Sequence, residues 1–180
     1  RLLGPEFGLL SSSYREQAVV SAQSRQMGPI VVSFGLADPL RLTEETTKIL
    51  AAELPSKTQV VVVAPHTESL TRLVAMQLPA SIRVVGPQAS LAPLLSTARL
   101  AVGGAGGTSI ERIFFRVPTI AVPLVDNQER TARFLAGEGL ATVVNPSSPT
   151  FHDDYRMALR NAMTSTPQFP TNGLRIDGLG

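Results

Sequence analysis

The stretch GGAGGTSIERIFFRVPTIAVPLVDNQERTARF, residues 103–134, decides the fold. It opens at the end of an apolar run, Leu100 to Gly103, and passes through glycines into a helix-period segment, Thr108 to Phe115. A β-branched run, Thr119 to Val122, follows, and then a second amphipathic segment, Gln128 to Glu138. Strand, helix, strand and helix in that order describe a parallel sheet covered by helices.

The same alternation extends outward in both directions. Strands are expected at Ile30 to Phe34, Gln59 to Val63, Ile82 to Val85 and Ala141 to Val144. Helical periodicity fits Thr43 to Glu53, Glu68 to Gln77, Leu91 to Thr97 and Asp153 to Thr164. Thr43 with Glu44 and Glu45, and Thr108 with Glu111 as a capping box, supply start signals. The expectation is one α/β, Rossmann-like, doubly wound parallel sheet of about six strands with helices on both faces, over residues 30–165. Residues 1–29, which end at Gly28-Pro29, read as a lead-in or interdomain segment, and the Pro- and Gly-rich residues 166–180 as a tail that packs back.

Composition narrows the function classes. The 180 residues are 43% hydrophobic, enough for an ordinary core, and contain no cysteine, so neither disulfides nor thiolate metal sites are available. Although the pI is 9.5, the net charge is only +2 and the arginines are scattered, which argues against a nucleic-acid surface. No apolar run reaches the roughly 18 residues of a membrane span, and no signal peptide opens the chain; a cytoplasmic domain is the default. The start at Arg1, in what reads as an ordered segment, suggests a piece of a longer protein.

Ligands of open α/β sheets bind beyond the carboxyl ends of the strands, so the loops there carry the functional information. In the loop after the fourth strand, glycines ahead of a helix let backbone amides approach a phosphate. Thr108 either caps that helix or donates its hydroxyl to a ligand oxygen. Glu111 would repel phosphate but can accept both hydrogen bonds of a ribose diol; otherwise it merely completes a capping box. Asp126, Asn127 and Gln128 stand at a helix start, where capping explains one of them; mixed donors and acceptors suit sugar hydroxyls and acetamido groups. Arg130 and Arg133 could reach phosphate, although helical arginines are commonly solvated.

A P-loop is excluded, because neither Lys48 nor Lys57 follows a GxxxxG run. The dinucleotide pattern GxGxxG is the closer rival: Gly104-Ala105-Gly106 begins it, Ser109 replaces its third glycine and Asp126 lies about 20 residues on. It falls after the fourth strand, however, and Asp126 lies past Pro123. His66 reads as a loop residue and His152-Asp153-Asp154 as a helix start rather than a metal site.

The order of glycine turn, Glu111, RVPTIAVPL, Asn127-Gln128 and LAGEGLATVV resembles the carboxy-terminal domain of glycosyltransferase-B-fold proteins that bind UDP-sugars. More narrowly, GPEFGLL, VVSFGLADP, DNQ and GLRIDGLG are similar to the UDP-sugar hydrolase of pseudaminic acid biosynthesis and its spore-coat polysaccharide relatives, from about Gly4 to Gly178. The resemblance implies that Ala105, Gly106, Gly107 and Thr108 hold the diphosphate and Glu111 the ribose. It places Gly86, Pro87 and Leu91 at uracil, Asn127 and Gln128 at the sugar, and Gly35 with Asp38 beside an interdomain cleft. It also implies water attack on a nucleotide-sugar with release of UDP, no metal and no cofactor, and a catalytic histidine in an amino-terminal domain outside this sequence. A glycosyltransferase of the same fold, a non-catalytic nucleotide-binding module and an NAD-binding domain are the alternatives. Leu36 stands where a second glycine is usual, Ala105 replaces a glycine and Arg99 an aspartate; the Leu36 side chain is expected to narrow the cleft.

Overall fold

A computed structural model describes Tyr14 and residues 22–55, 57–165 and 169. The motifs GPEFGLL and GLRIDGLG, the tail 166–180 apart from Phe169, and most of the lead-in lie outside the described residues. A single helical turn, α1 (Ala22–Arg25), precedes β1 (Ile30–Ser33), α2 (Leu42–Glu53), β2 (Val60–Val63), α3 (Thr67–Val74), β3 (Ile82–Val85) and α4 (Ala92–Leu95). Then come β4 (Leu100–Gly104), α5 (Thr108–Phe114), β5 (Thr119–Val122), a 3-10 turn (Asp126–Gln128), α6 (Glu129–Gly137), β6 (Thr142–Val143) and α7 (Phe151–Thr164).

The six strands form one parallel sheet in the order β3-β2-β1-β4-β5-β6, the Rossmann-like arrangement expected. Strands β1, β2, β4 and β5 are buried along their whole length, which is why they read as unbroken Val, Ile and Ala runs rather than alternating ones. Ile30, Val32, Val60, Val62, Val102 and Ile120 pack under Leu50 of α2, Leu73 of α3 and Tyr155 and Leu159 of α7. On the opposite face, Val31, Val63 and Ala101 meet Leu95 and Phe115, while Ala121 meets Ile113, Ala132 and Leu135. The period of two therefore assigns alternate residues of each strand to the two helical layers.

Several boundaries shift for identifiable reasons. Helix α4 is a single turn with a proline, Pro93, in its first positions, shorter than the expected Leu91 to Thr97. Among the described residues β6 pairs only with β5, and it keeps two residues of the expected four. The expected caps do not form. Gly107, not Thr108, is the N-cap of α5, with no side-chain cap bond, because Thr108 already lies inside the helix. Helix α2 opens at Leu42 after Arg41 in the left-handed region, and the Asp38 carboxylate accepts from the amides of Leu42 (2.9 Å) and Thr43 (2.8 Å).

The topology fixes where a crevice must open. β1 hands the chain to α2 on one face and its neighbour β4 hands it to α5 on the other, so the two loops diverge at the carboxyl ends of adjacent strands. Gly103, paired with Ser33, makes this possible: a Cβ there would fall inside contact distance of the Ser33 carbonyl oxygen. The first loop turns at Gly35, whose φ of 83° suits glycine.

Candidate functional site

A cavity of about 210 Å³ occupies this carboxyl-end crevice. Ser33, Gly35 and Leu36 bound it from the β1 loop, Val63 to Pro65 from the β2 loop and Pro87 to Leu91 from the β3 loop. Thr108 and Glu111 of α5 close it together with the Tyr14 ring. Three loops and one helix separated in sequence thus converge at one point, and Leu36, 80% exposed, lies at its edge.

The β4–α5 turn beside this cavity is built on free amides. Ala105 N donates to Val122 O, which carries the sheet ladder one residue further. Among the described residues, the amides of Gly106, Gly107 and Thr108 donate to no acceptor, and Gly107 has open space where a Cβ would stand. Such a run of unengaged amides has the donors an anion would need.

Beneath the turn lies Arg112, which the sequence reading did not single out. Its side chain is buried (3% exposed) and its guanidinium Nη2 donates to Gly104 O at 2.5 Å and Thr108 Oγ1 at 2.7 Å, while Nε donates to Thr108 O at 3.2 Å. Nη1 has no partner among the described residues. Burial brings the guanidinium down to about 10, with Glu111 acting in the opposite sense, so it remains a cation at neutral pH. A signal existed in the sequence: Thr108 and Arg112 are spaced i, i+4 on one helix face.

Glu111 is the acid of the site. Burial raises its carboxyl above the usual range, against the opposing effects of the Tyr14 hydroxyl that donates to it and the adjacent Arg112 charge. Its Oε2 is buried without a partner among the described residues. Tyr14 also accepts from Leu91 N at 3.2 Å, and burial first, then Glu111, push its hydroxyl up to about 12. An acceptor held unsatisfied in a cavity wall is the arrangement a diol or another paired donor would complete.

The other expected residues take different places. Pro87 and Leu91 line the cavity, whereas Gly86 does not, its carbonyl being bonded by the Gln88 side chain at 2.9 Å. Asn127 and Gln128 do not line the cavity; they sit in the 3-10 turn, where none of the Asp126–Gln128 side chains acts as a cap. Gln128 instead accepts from Leu124 N at 3.0 Å and lies against Gly106. Asp38 is absent from the wall, its carboxylate being engaged with the start of α2. His66 caps α3 through a bond from Ser69 N (3.2 Å), and exposed His152 pairs with Glu45 at 2.9 Å. Among the described residues no cluster of His, Cys, Asp or Glu could hold a metal ion, and no helix is long and apolar enough to cross a membrane.

No protein-family model matches the chain, and no curated protein does. Solved structures do. WaaG, a glycosyltransferase involved in lipopolysaccharide biosynthesis, superposes with a TM-score of 0.65 at 18% identity, over 89% of this chain and 46% of that one. MurG of Acinetobacter baumannii gives 0.59 at 19% identity, over 90% and 46%. The spinosyn rhamnosyltransferase SpnG complexed with thymidine diphosphate gives 0.58 at 19%, over 83% and 41%. The chain spans less than half of each of these structures. The sheet order and these likenesses together show that this chain has the fold of one half of a glycosyltransferase-B protein.

Proposed function

We propose that the chain is the nucleotide-sugar-binding half of a two-domain enzyme and that the carboxyl-end cavity receives a nucleoside diphosphate. The observation that carries this reading is the conjunction of one cavity, the free amides of Gly106, Gly107 and Thr108, and the buried, unsatisfied acceptor of Glu111 in its wall. Phosphate oxygens suit the amides and ribose hydroxyls suit the carboxylate, while the Pro87 to Leu91 loop lines the part of the cavity left for the base. The resemblance to UDP-sugar proteins makes uracil the expected base, and Asn127, exposed at the same end of the sheet, the group left to meet the sugar. Gly35 and Leu36 face the side on which a second domain would close.

In the reaction this implies, the bond between the anomeric carbon and the diphosphate oxygen breaks and the diphosphate leaves with the electron pair. The free amides and the nearby Arg112 charge stabilise the leaving anion. Transfer to an acceptor hydroxyl is the reading that the solved neighbours favour, WaaG being described as a glycosyltransferase and SpnG as a rhamnosyltransferase. Transfer to water, the hydrolase reading, rests on the motifs GPEFGLL, VVSFGLADP, DNQ and GLRIDGLG. The amino-terminal half would contribute the residue that activates the nucleophile, so this chain alone should bind UDP without turning over.

Calorimetry with UDP, TDP and NAD tests the binding reading directly: UDP is expected to bind, and binding of NAD without UDP would replace it with a dinucleotide site. Incubating the full-length protein with UDP-sugars then separates the reactions. Release of free sugar and UDP without an added acceptor supports hydrolysis, whereas release only with an acceptor supports transfer.

A further inference from the structure

Ser109, Glu111 and Arg112 lie within one turn of α5, and each carries a buried polar atom without a partner among the described residues. Glu111 belongs to the cavity wall, but Arg112 does not reach it; the guanidinium sits one layer below, bonded to the Thr108 that does. The question is what a buried cation accomplishes there when no ligand can touch it.

The answer lies in the threonine. Thr46, Thr47, Thr71 and Thr164 each donate their hydroxyl hydrogen to a carbonyl four residues back, the ordinary fate of a helical threonine. For Thr108 that carbonyl belongs to Gly104, and it receives Arg112 Nη2 instead. The same nitrogen donates to Thr108 Oγ1 at 2.7 Å. A guanidinium has only donors, so it occupies a lone pair of the hydroxyl and can never accept the hydroxyl's hydrogen. Among the described residues nothing accepts that hydrogen, and Thr108 stands in the cavity wall.

We infer that Arg112 is a positioning residue that makes the Thr108 hydroxyl an obligate hydrogen-bond donor into the cavity, so that the site selects a ligand with an anionic oxygen at that point. Resting on the nucleotide reading above, this assigns to the Arg112–Thr108 pair the discrimination between a nucleoside diphosphate and its nucleoside. The buried charge polarises the hydroxyl and strengthens its bond to an anion, as a charge-assisted donor does. A ligand offering a donor at the same place would meet a second hydrogen and be rejected.

The test is a double-mutant cycle on the 180-residue chain, with UDP and uridine as probes in calorimetry. Thr108→Val and Arg112→Met are each expected to weaken UDP roughly ten- to hundredfold, the loss of one charge-assisted bond, and to leave uridine within about twofold. The double variant should lose no more than Thr108→Val alone, because Arg112 acts through Thr108. Thr108→Ser, which keeps the hydroxyl, should restore the preference for UDP. Equal losses for UDP and uridine, or losses that simply add in the double variant, would overturn the inference. Thr108→Val, at a partly exposed position, decides the matter even where Arg112→Met fails to fold: unchanged UDP affinity refutes the donor role. A wild-type chain that binds neither probe would instead remove the nucleotide reading itself.

Discussion

Gln128 folds back from its 3-10 turn onto Gly106: its Oε1 accepts from Leu124 N at 3.0 Å, and its Nε2 would stand 3.0 Å from a Cβ on that glycine. The side chain therefore fills the place beneath the glycine turn that any larger residue at 106 would contest. A residue holding the turn acts on the diphosphate, whereas a residue meeting sugar acts only when sugar is present. Gln128→Ala is expected to weaken UDP itself by about fivefold, the effect of roughly 1 kcal/mol from the lost bond. Calorimetry with UDP and with a UDP-sugar would separate the roles; a loss confined to the UDP-sugar would return Gln128 to the sugar.

The glycines of the turn should respond unequally to alanine. At Gly103 the new methyl would collide with the Ser33 carbonyl, a strand backbone that can yield only by separating β1 from β4. Gly103→Ala is expected to destabilise the fold by about 3 kcal/mol or more, at the upper end for overpacking. At Gly107 nothing stands within 4 Å of the added methyl and the backbone is right-handed helical. Gly107→Ala should melt at or slightly above the wild-type temperature, gaining up to about 1 kcal/mol. Its methyl has room in the folded chain, yet UDP affinity is expected to fall because the methyl stands where phosphate would approach the turn. Thermal melts alongside calorimetry read both effects.

Asp38 carries a prediction about stability rather than chemistry. Its carboxylate satisfies two of the free amides at the start of α2, and Asp38→Ala leaves both without that partner. The expected loss is about 1 kcal/mol, as for other helix caps. Asp38→Asn should recover much of it, since the amide oxygen still accepts. UDP affinity should stay within twofold in both variants; a large loss of affinity with an unchanged melt would place Asp38 at the ligand.

These residues show what the sequence made legible. The strands were readable because they are buried on both faces, which leaves runs such as Val60 to Val63 with no polar interruption. Loops were readable as functional because the parallel topology collects them at one end, and five of the expected positions, Gly35, Pro87, Leu91, Thr108 and Glu111, do line one cavity. What escaped depends on where a side chain turns after leaving the backbone. Asp38 reaches forward to amides four and five residues on, beyond ordinary cap spacing, and Gln128 reaches back to Leu124. Arg112 was hidden because helical arginines usually face water, and only the glycine-lined space beside Gly103 lets this one turn inward.

Glu111 should betray its function through a stability gain on substitution. Its folded-state carboxyl titrates above an unfolded glutamate, chiefly through burial, so between those two values the native state holds a proton that the unfolded chain has released. The contribution to stability is thus fully present below the unfolded value near 4.3 and is lost as pH rises through the folded one. Glu111→Gln is neutral at every pH, nearly isosteric, and can still accept the Tyr14 hydroxyl. It is expected to melt higher than wild type at pH 7 by a few degrees, about 1 kcal/mol, with the difference closing toward pH 4. The same variant should bind UDP roughly ten- to hundredfold more weakly, because an amide accepts at one atom only and presents a donor to a diol. Gain of stability with loss of affinity is the pattern of a carboxyl kept in a buried place for a ligand. A variant less stable than wild type at neutral pH, with UDP affinity intact, would make Glu111 a brace for Tyr14 and leave the ribose without its partner.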